Sequence, residues 1–163
     1  MADHGVKLVF GGGRVGLMGL LADSVMAAGG EAVGVIPRHL DEAEIGHQEI
    51  TELHIVDNMH VRKEMMFRMA DAVAVLPGGL GTLDETFEMI TWRQLGLHDK
   101  PIVIVDVGGF WQPLLTVIDH ICDTGFASPT AKDLFTTVNS VAEVIPAIHA
   151  LPEPGVAPFL DRL

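Results

Sequence analysis

Residues Leu76–Glu88 read LPGGLGTLDETFE. Three glycines and a threonine stand between an apolar run, Ala72 to Leu76, and apolar residues at helical spacing, Leu83, Phe87 and Ile90. This order predicts a strand, a tight turn and a helix start, with carboxylates in the helix's first turns. Backbone N–H groups at a helix N-terminus attract anions, and glycine lets a ligand come close. Acids beside an anion cradle point to chemistry on a phosphorylated substrate. The lysine of a nucleotide-triphosphate P-loop is missing, which argues against ATP or GTP hydrolysis.

A second glycine segment, GGGRVGLMG (Gly11 to Gly19), follows the apolar run Lys7 to Phe10. Gly11 to Gly16 fits G-x-G-x-x-G, a pattern that opens many dinucleotide sites. The acid such a site needs on the ribose is absent, because Val35, Ile36 and Pro37 end the next strand. Arg38 is the sole support for a 2′-phosphate. Gly12 and Gly13 therefore read as a phosphate or ribose contact, or as a turn that packs helix on strand.

Thr82 and Glu85 form T-x-x-E, a capping box that is compatible with catalysis by Glu85. Glu85, Glu88 and Trp92 share one helical face, while Leu83, Phe87 and Ile90 read as core. In MHVRKEMM (Met59 to Met66), Val61, Met65 and Met69 recur at helical spacing and read as core, so Arg62 and Lys63 point elsewhere. Basic residues number only 10, and this pair follows a strand end, a position suited to gripping phosphate. The 8 histidines show no zinc-ligand spacing, so no metal is expected.

These groups must be held by strands and helices. The sequence predicts strands at Lys7–Phe10, Ala32–Ile36, Thr51–Val56, Ala72–Leu76, Ile102–Val105 and Phe135–Val138. Helices are expected from the first glycine loop to Ala28, from Asn58 as cap to Met69, and over Thr82–Leu95, Trp111–Thr124 and Val141–Ala150. Arg38 to Glu49 reads as loop. Alternation of near-continuous apolar strands with helices predicts an α/β fold, a Rossmann-like, doubly wound, mostly parallel sheet. The domain is expected to span 1–151, with an irregular tail over 152–163. In such sheets ligands sit beyond the carboxyl ends of the strands, where both glycine loops lie.

The chain has 163 residues, 48% hydrophobic and 20% charged, with a net charge of −12. The acidity argues against nucleic-acid binding. One cysteine, Cys122, reads as a buried helix residue and fits a reducing cytoplasm. No secretory leader and no apolar run of membrane-spanning length is evident.

GGGRVGLMG, GVIP, MHVRK, PGGLGTLDE and ITWRQLGLHDKP together resemble the Lonely Guy family of cytokinin riboside 5′-monophosphate phosphoribohydrolases, whose bacterial members often carry the label "possible lysine decarboxylase". The likeness runs from about Val6 to Phe126. It implies hydrolysis of the N-glycosidic bond of a nucleoside 5′-monophosphate, without cofactor, by a homodimer. It implies Arg62 and Glu85 as catalytic residues. Substrate contacts would come from Lys63, Gly78, Gly79, Gly81, Thr82, Glu88 and Thr91, with Gly12, Gly13 and Glu44. An alternative is a nucleotide or phosphorylated-cofactor binding module without turnover. Lysine decarboxylation would need pyridoxal phosphate on a lysine, and no lysine is marked for it. Family members usually carry a further strand, glycine–serine loop and helix ahead of Gly5, so Met1–His4 is expected to match the end of that helix.

Overall fold

The computed structural model describes residues 1–43 and 46–151. Glu44 and the 152–163 tail therefore lie outside the described residues. The chain divides into two compact units, Met1–Ala70 and a second beginning at Asp71.

In the first unit, β1 (Leu8–Phe10), β2 (Ala32–Pro37) and β3 (Glu52–Val56) form a parallel sheet in the order β1-β2-β3. Leu8 pairs with Ala32, and Val33 with Glu52. Parallel neighbours need crossovers. Helix α1 (Leu17–Ala27) makes the first, and a short helix α2 (Arg38–Asp41) lies within the second, inside the stretch expected as loop. β2 is the central strand and is buried along its whole length, which explains its unbroken apolar sequence AVGVIP. Leu8, Phe10, Ala22, Val25 and Ala32 form the core between β1, β2 and α1. Leu8, Phe10 and Val25 each contribute roughly 1.5–3 kcal/mol by this burial. Helix α3 (Met59–Met69) follows β3, and Asn58 caps it by accepting from the N–H groups of His60 and Val61, both at 3.0 Å.

The second unit repeats the plan. β4 (Val73–Val75), β5 (Ile102–Val105) and β6 (Thr136–Val138) are parallel in the order β4-β5-β6. Val73 pairs with Ile102, and Val103 with Thr136. The central strand β5 is again wholly buried. Helix α4 (Leu80–Gln94) joins β4 to β5, and α5 (Gln112–Asp123) precedes β6. The last predicted helix divides into a single 3-10 turn at Val141–Glu143 and α6 (Val144–Ala150). Cys122 is buried in α5, as expected, with its Sγ 3.5 Å from the Ser128 carbonyl. Among the described residues no helix is long and apolar enough to cross a membrane.

Candidate active site

The expected site residues fall into two groups. Gly12, Gly13, Arg62 and Lys63 belong to the first unit, and Gly78, Gly79, Gly81, Thr82, Glu85, Glu88 and Thr91 to the second.

In the first unit the glycine loop leaves the carboxyl end of β1 and runs into α1. Gly12 has φ +73°, and a Cβ there would stand 3.1 Å from both Ile36 Cβ and Leu53 Cδ1. Both facts require glycine. Gly34, on β2, is needed for the same close approach: its Cβ would lie 2.7 Å from Gly12 Cα. Gly11 makes room of another kind, since a Cβ at this position would collide with the Arg62 guanidinium.

Arg62 overturns the expectation for α3. It is only 8% exposed, whereas Val61 and Met69, expected as core, are each 39% exposed, and Met65 is half-buried. A buried guanidinium is tolerated only with partners. One of them is the carbonyl of Val35, which accepts from Arg62 Nε at 3.1 Å. The inward side of α3 is thus set by a cation reaching β2 and the glycine loop. Lys63 beside it is half-buried.

In the second unit α4 starts earlier than Thr82. Its N-cap is Gly79, with no side-chain cap, and the Leu83 N–H makes a helical bond to the Gly79 carbonyl at 3.1 Å. Thr82 is therefore the third helical residue, and the capping box does not form. The Thr82 side chain instead lies against Gly78, where a Cβ would strike it. The N–H groups of Leu80, Gly81 and Thr82 precede the first helical bond, and the first turn holds no acidic residue. Asp84 and Glu85 lie in its second turn, within the first turns where the carboxylates were expected. The positive end of the helix is left without a neighbouring anion of its own turn.

Gly79 and Gly81 differ from the other loop glycines described so far. A Cβ at either would meet nothing within 4 Å, and neither has positive φ. Packing and backbone conformation therefore do not demand glycine at these two positions.

The buried face of α4 is Thr86, Met89 and Ile90. Ile90 was expected there, but Leu83 is half-buried and Phe87 exposed. Thr86 is inward because its hydroxyl donates to the Thr82 carbonyl at 2.6 Å, which satisfies it within the helix. Glu85, Glu88 and Trp92 are all half-buried along their shared face, and Thr91 is exposed.

The stretch ITWRQLGLHDKP, which ends α4 and leads on to β5, holds the helix to the rest of its unit. Arg93 Nη1 donates to the carbonyls of Lys100 and Leu134, at 3.3 and 3.0 Å. His98 Nδ1 accepts from the Lys100 N–H at 3.1 Å, so Nε2 carries the hydrogen given to the Met89 carbonyl at 3.0 Å. Burial lowers the His98 pKa below its ordinary 6.5. Burial likewise lowers that of Lys100, against an opposing pull from Asp71.

Two polar residues escaped the sequence reading. Asp106, buried at the end of β5, accepts from the Trp111 N–H and the Gln112 side chain and so ties down the start of α5. His47 is buried behind the first glycine loop. Neither lies in a spacing that marks it, although Asp106 directly follows an all-apolar strand.

Sheet, crossover helices and glycine loops at strand ends define a Rossmann-like α/β protein. Solved structures of this fold include the molybdenum cofactor binding protein of Rippkaea orientalis, with a TM-score of 0.68 and 18% identity, covering 91% of this chain and 79% of that one. The molybdenum cofactor carrier protein of Chlamydomonas reinhardtii matches with a TM-score of 0.62 and 22% identity, over the same shares. The family model described as "Possible lysine decarboxylase" matches residues 18–148. A cytokinin riboside 5′-monophosphate phosphoribohydrolase of Rhodococcoides fascians is 42% identical over 151 residues, 92% of this chain and 76% of that protein. One of Arabidopsis thaliana is 42% identical over 145 residues, 89% and 68% of the two chains. A probable one of Oryza sativa subsp. japonica is 40% identical over 163 residues, 100% and 75%. The chain belongs to the Lonely Guy family, the family of that "possible lysine decarboxylase" model.

Proposed function

We propose that this protein hydrolyses the N-glycosidic bond of adenosine 5′-monophosphates, N6-substituted or plain, releasing free base and ribose 5-phosphate. Its relatives at 40–42% identity are named as cytokinin riboside 5′-monophosphate phosphoribohydrolases, one of them as a probable one. The observation that carries the reading in this chain is the start of α4: glycines at 79 and 81 that the fold does not need, N–H groups ahead of the first helical bond, and a glutamate one turn on. Such a start receives a phosphate or ribose oxygen and sets a carboxylate close to it.

In the reaction the bond from C1′ to the base breaks, its electron pair leaves with the base, and the base takes a proton. Positive charge builds on C1′ and its ring oxygen. Glu85 is assigned to stabilise that charge and to activate the water whose hydroxyl ends on C1′. Arg62 is assigned to the phosphate or to the departing base. Lys63, Gly78, Gly79, Gly81, Thr82, Glu88 and Thr91, with Gly12, Gly13 and Glu44, are assigned to substrate binding. The protein is proposed to act as a homodimer in the cytoplasm. Leu95 and Leu97, exposed after α4, support a subunit contact, and the single buried thiol suits a reducing compartment.

Purified protein is incubated with AMP and with isopentenyladenosine 5′-monophosphate, and the products are separated by chromatography. Free base and ribose 5-phosphate are expected. Glu85→Gln should lower kcat by about 10²- to 10⁴-fold with the fold intact by circular dichroism. Binding without product from the parent protein would replace this reading with a nucleotide-binding module.

A further inference from the structure

His47 lies on the segment 46–49, between α2 and β3, and is 5% exposed. A buried imidazole is costly unless its nitrogens are partnered. Nδ1 accepts from the Glu49 N–H at 3.3 Å. An accepting Nδ1 leaves the hydrogen on Nε2, which donates to Asp23 Oδ1 of α1 at 2.9 Å. The ring is thereby held at both ends, by α1 and by the lead-in to β3.

The main chain of His47 acts on the glycine loop. Its N–H donates to the Gly12 carbonyl at 2.8 Å, and Gly13 pairs with Gly46 in an isolated antiparallel bridge. A trans peptide is planar, with C=O and N–H on opposite sides. The described chain has no cis bond. With its carbonyl on His47, the Gly12–Gly13 peptide turns the Gly13 N–H the other way. Close packing also restrains Gly12: a Cβ there would stand 3.1 Å from Ile36 and Leu53, and one on Gly34 would stand 2.7 Å from Gly12 Cα.

We propose that His47 is a positioning residue for the nucleotide: locked by Asp23 and Glu49, it sets the Gly12–Gly13 peptide so that the Gly13 N–H donates to a phosphate or ribose oxygen. This rests on the reading that the first glycine loop contacts the substrate. The imidazole touches no substrate itself. Asp23 is the outer anchor, with a side chain that is largely exposed.

The test is steady-state kinetics with AMP and isopentenyladenosine 5′-monophosphate for Asp23→Ala, His47→Ala and His47→Gln, with thermal midpoints for each. Asp23→Ala and His47→Ala should raise KM about 3- to 30-fold, the range of coupling through a packed network. kcat should stay at the parent value, since the contact binds ground and transition states alike. His47→Gln should recover much of the loss, because its amide reaches the place of Nε2 and can donate to Asp23. Weakened inhibition by ribose 5-phosphate but not by adenosine would assign the N–H to phosphate, and weakening of both to ribose. Unchanged KM in both alanine variants, from an active parent, overturns the role of His47 alone. A fall in kcat that follows the thermal midpoint, without rescue by glutamine, overturns it too and leaves His47 as a packing residue. Should His47→Ala not fold, Asp23→Ala decides by itself. A parent that neither binds nor cleaves either nucleotide removes the underlying reading, and this one with it.

Discussion

The two glycine loops look alike in sequence and serve the fold differently. In the first, glycine is an architectural requirement. Gly11 leaves room for Arg62, Gly12 combines positive φ with close packing, and Gly34 lets the loop lie on β2. In the second, only Gly78 is pressed by a neighbour, its own Thr82, while Gly79 and Gly81 face open space. A glycine-rich motif can thus be kept by packing from behind or by a ligand in front. Neighbouring Cβ space separates the two cases.

The contrast between the loops meets its severest trial at Gly81. Gly81→Ala replaces a helical glycine that nothing crowds, so stability should rise by up to about 1 kcal/mol. Activity should fall steeply, by about 10²-fold if the added methyl shifts the substrate by an ångström. Thermal unfolding and turnover on one preparation check both halves. A variant as active as the parent would show that the second loop's glycines are not kept for substrate.

Gly12→Ala should do the reverse. Positive φ and two contacts at 3.1 Å predict a loss of about 1–3 kcal/mol, read by denaturant unfolding. An unfolding midpoint equal to the parent's would remove the architectural reading of the first loop.

The smallest effect concerns the segment between α4 and β5. The folded-state pKa of His98 is depressed, so the unfolded chain binds its proton more readily. Stability from neutral His98 is complete above its unfolded value of 6.5 and is lost as pH falls through the lower folded value. Acidifying from about pH 7.5 to 5 should therefore lower the thermal midpoint of the parent more than that of His98→Asn. Equal shifts would mean that His98 is not the titrating staple.

Much of the fold could be read in advance. Strands alternating with helices, the cap at Asn58 and the unbroken apolar runs of β2 and β5 all took the expected form, because each depends on neighbours in sequence. The inward faces of two helices could not. Apolar spacing placed Val61 and Met69 inside α3, and Leu83 and Phe87 inside α4. The protein buries Arg62 and Thr86 instead. Periodicity assumes that what turns inward is apolar. Arg62 breaks that assumption because Val35 offers a carbonyl and Gly11 offers space. Thr86 breaks it because its hydroxyl is satisfied within its own helix.

Residue order alone was thus enough for the fold class, the succession of elements, the placing of both glycine loops at strand ends and the family to which those motifs belong. Three-dimensional packing was needed to establish which glycines are compulsory, that α4 opens at Gly79 rather than at a threonine cap, and that Arg62 and His47 are buried. The physical reason is range. Turns, caps and hydrophobic runs are fixed over a few residues, whereas burial of a polar group depends on partners 27 positions away for Arg62 and 24 for His47.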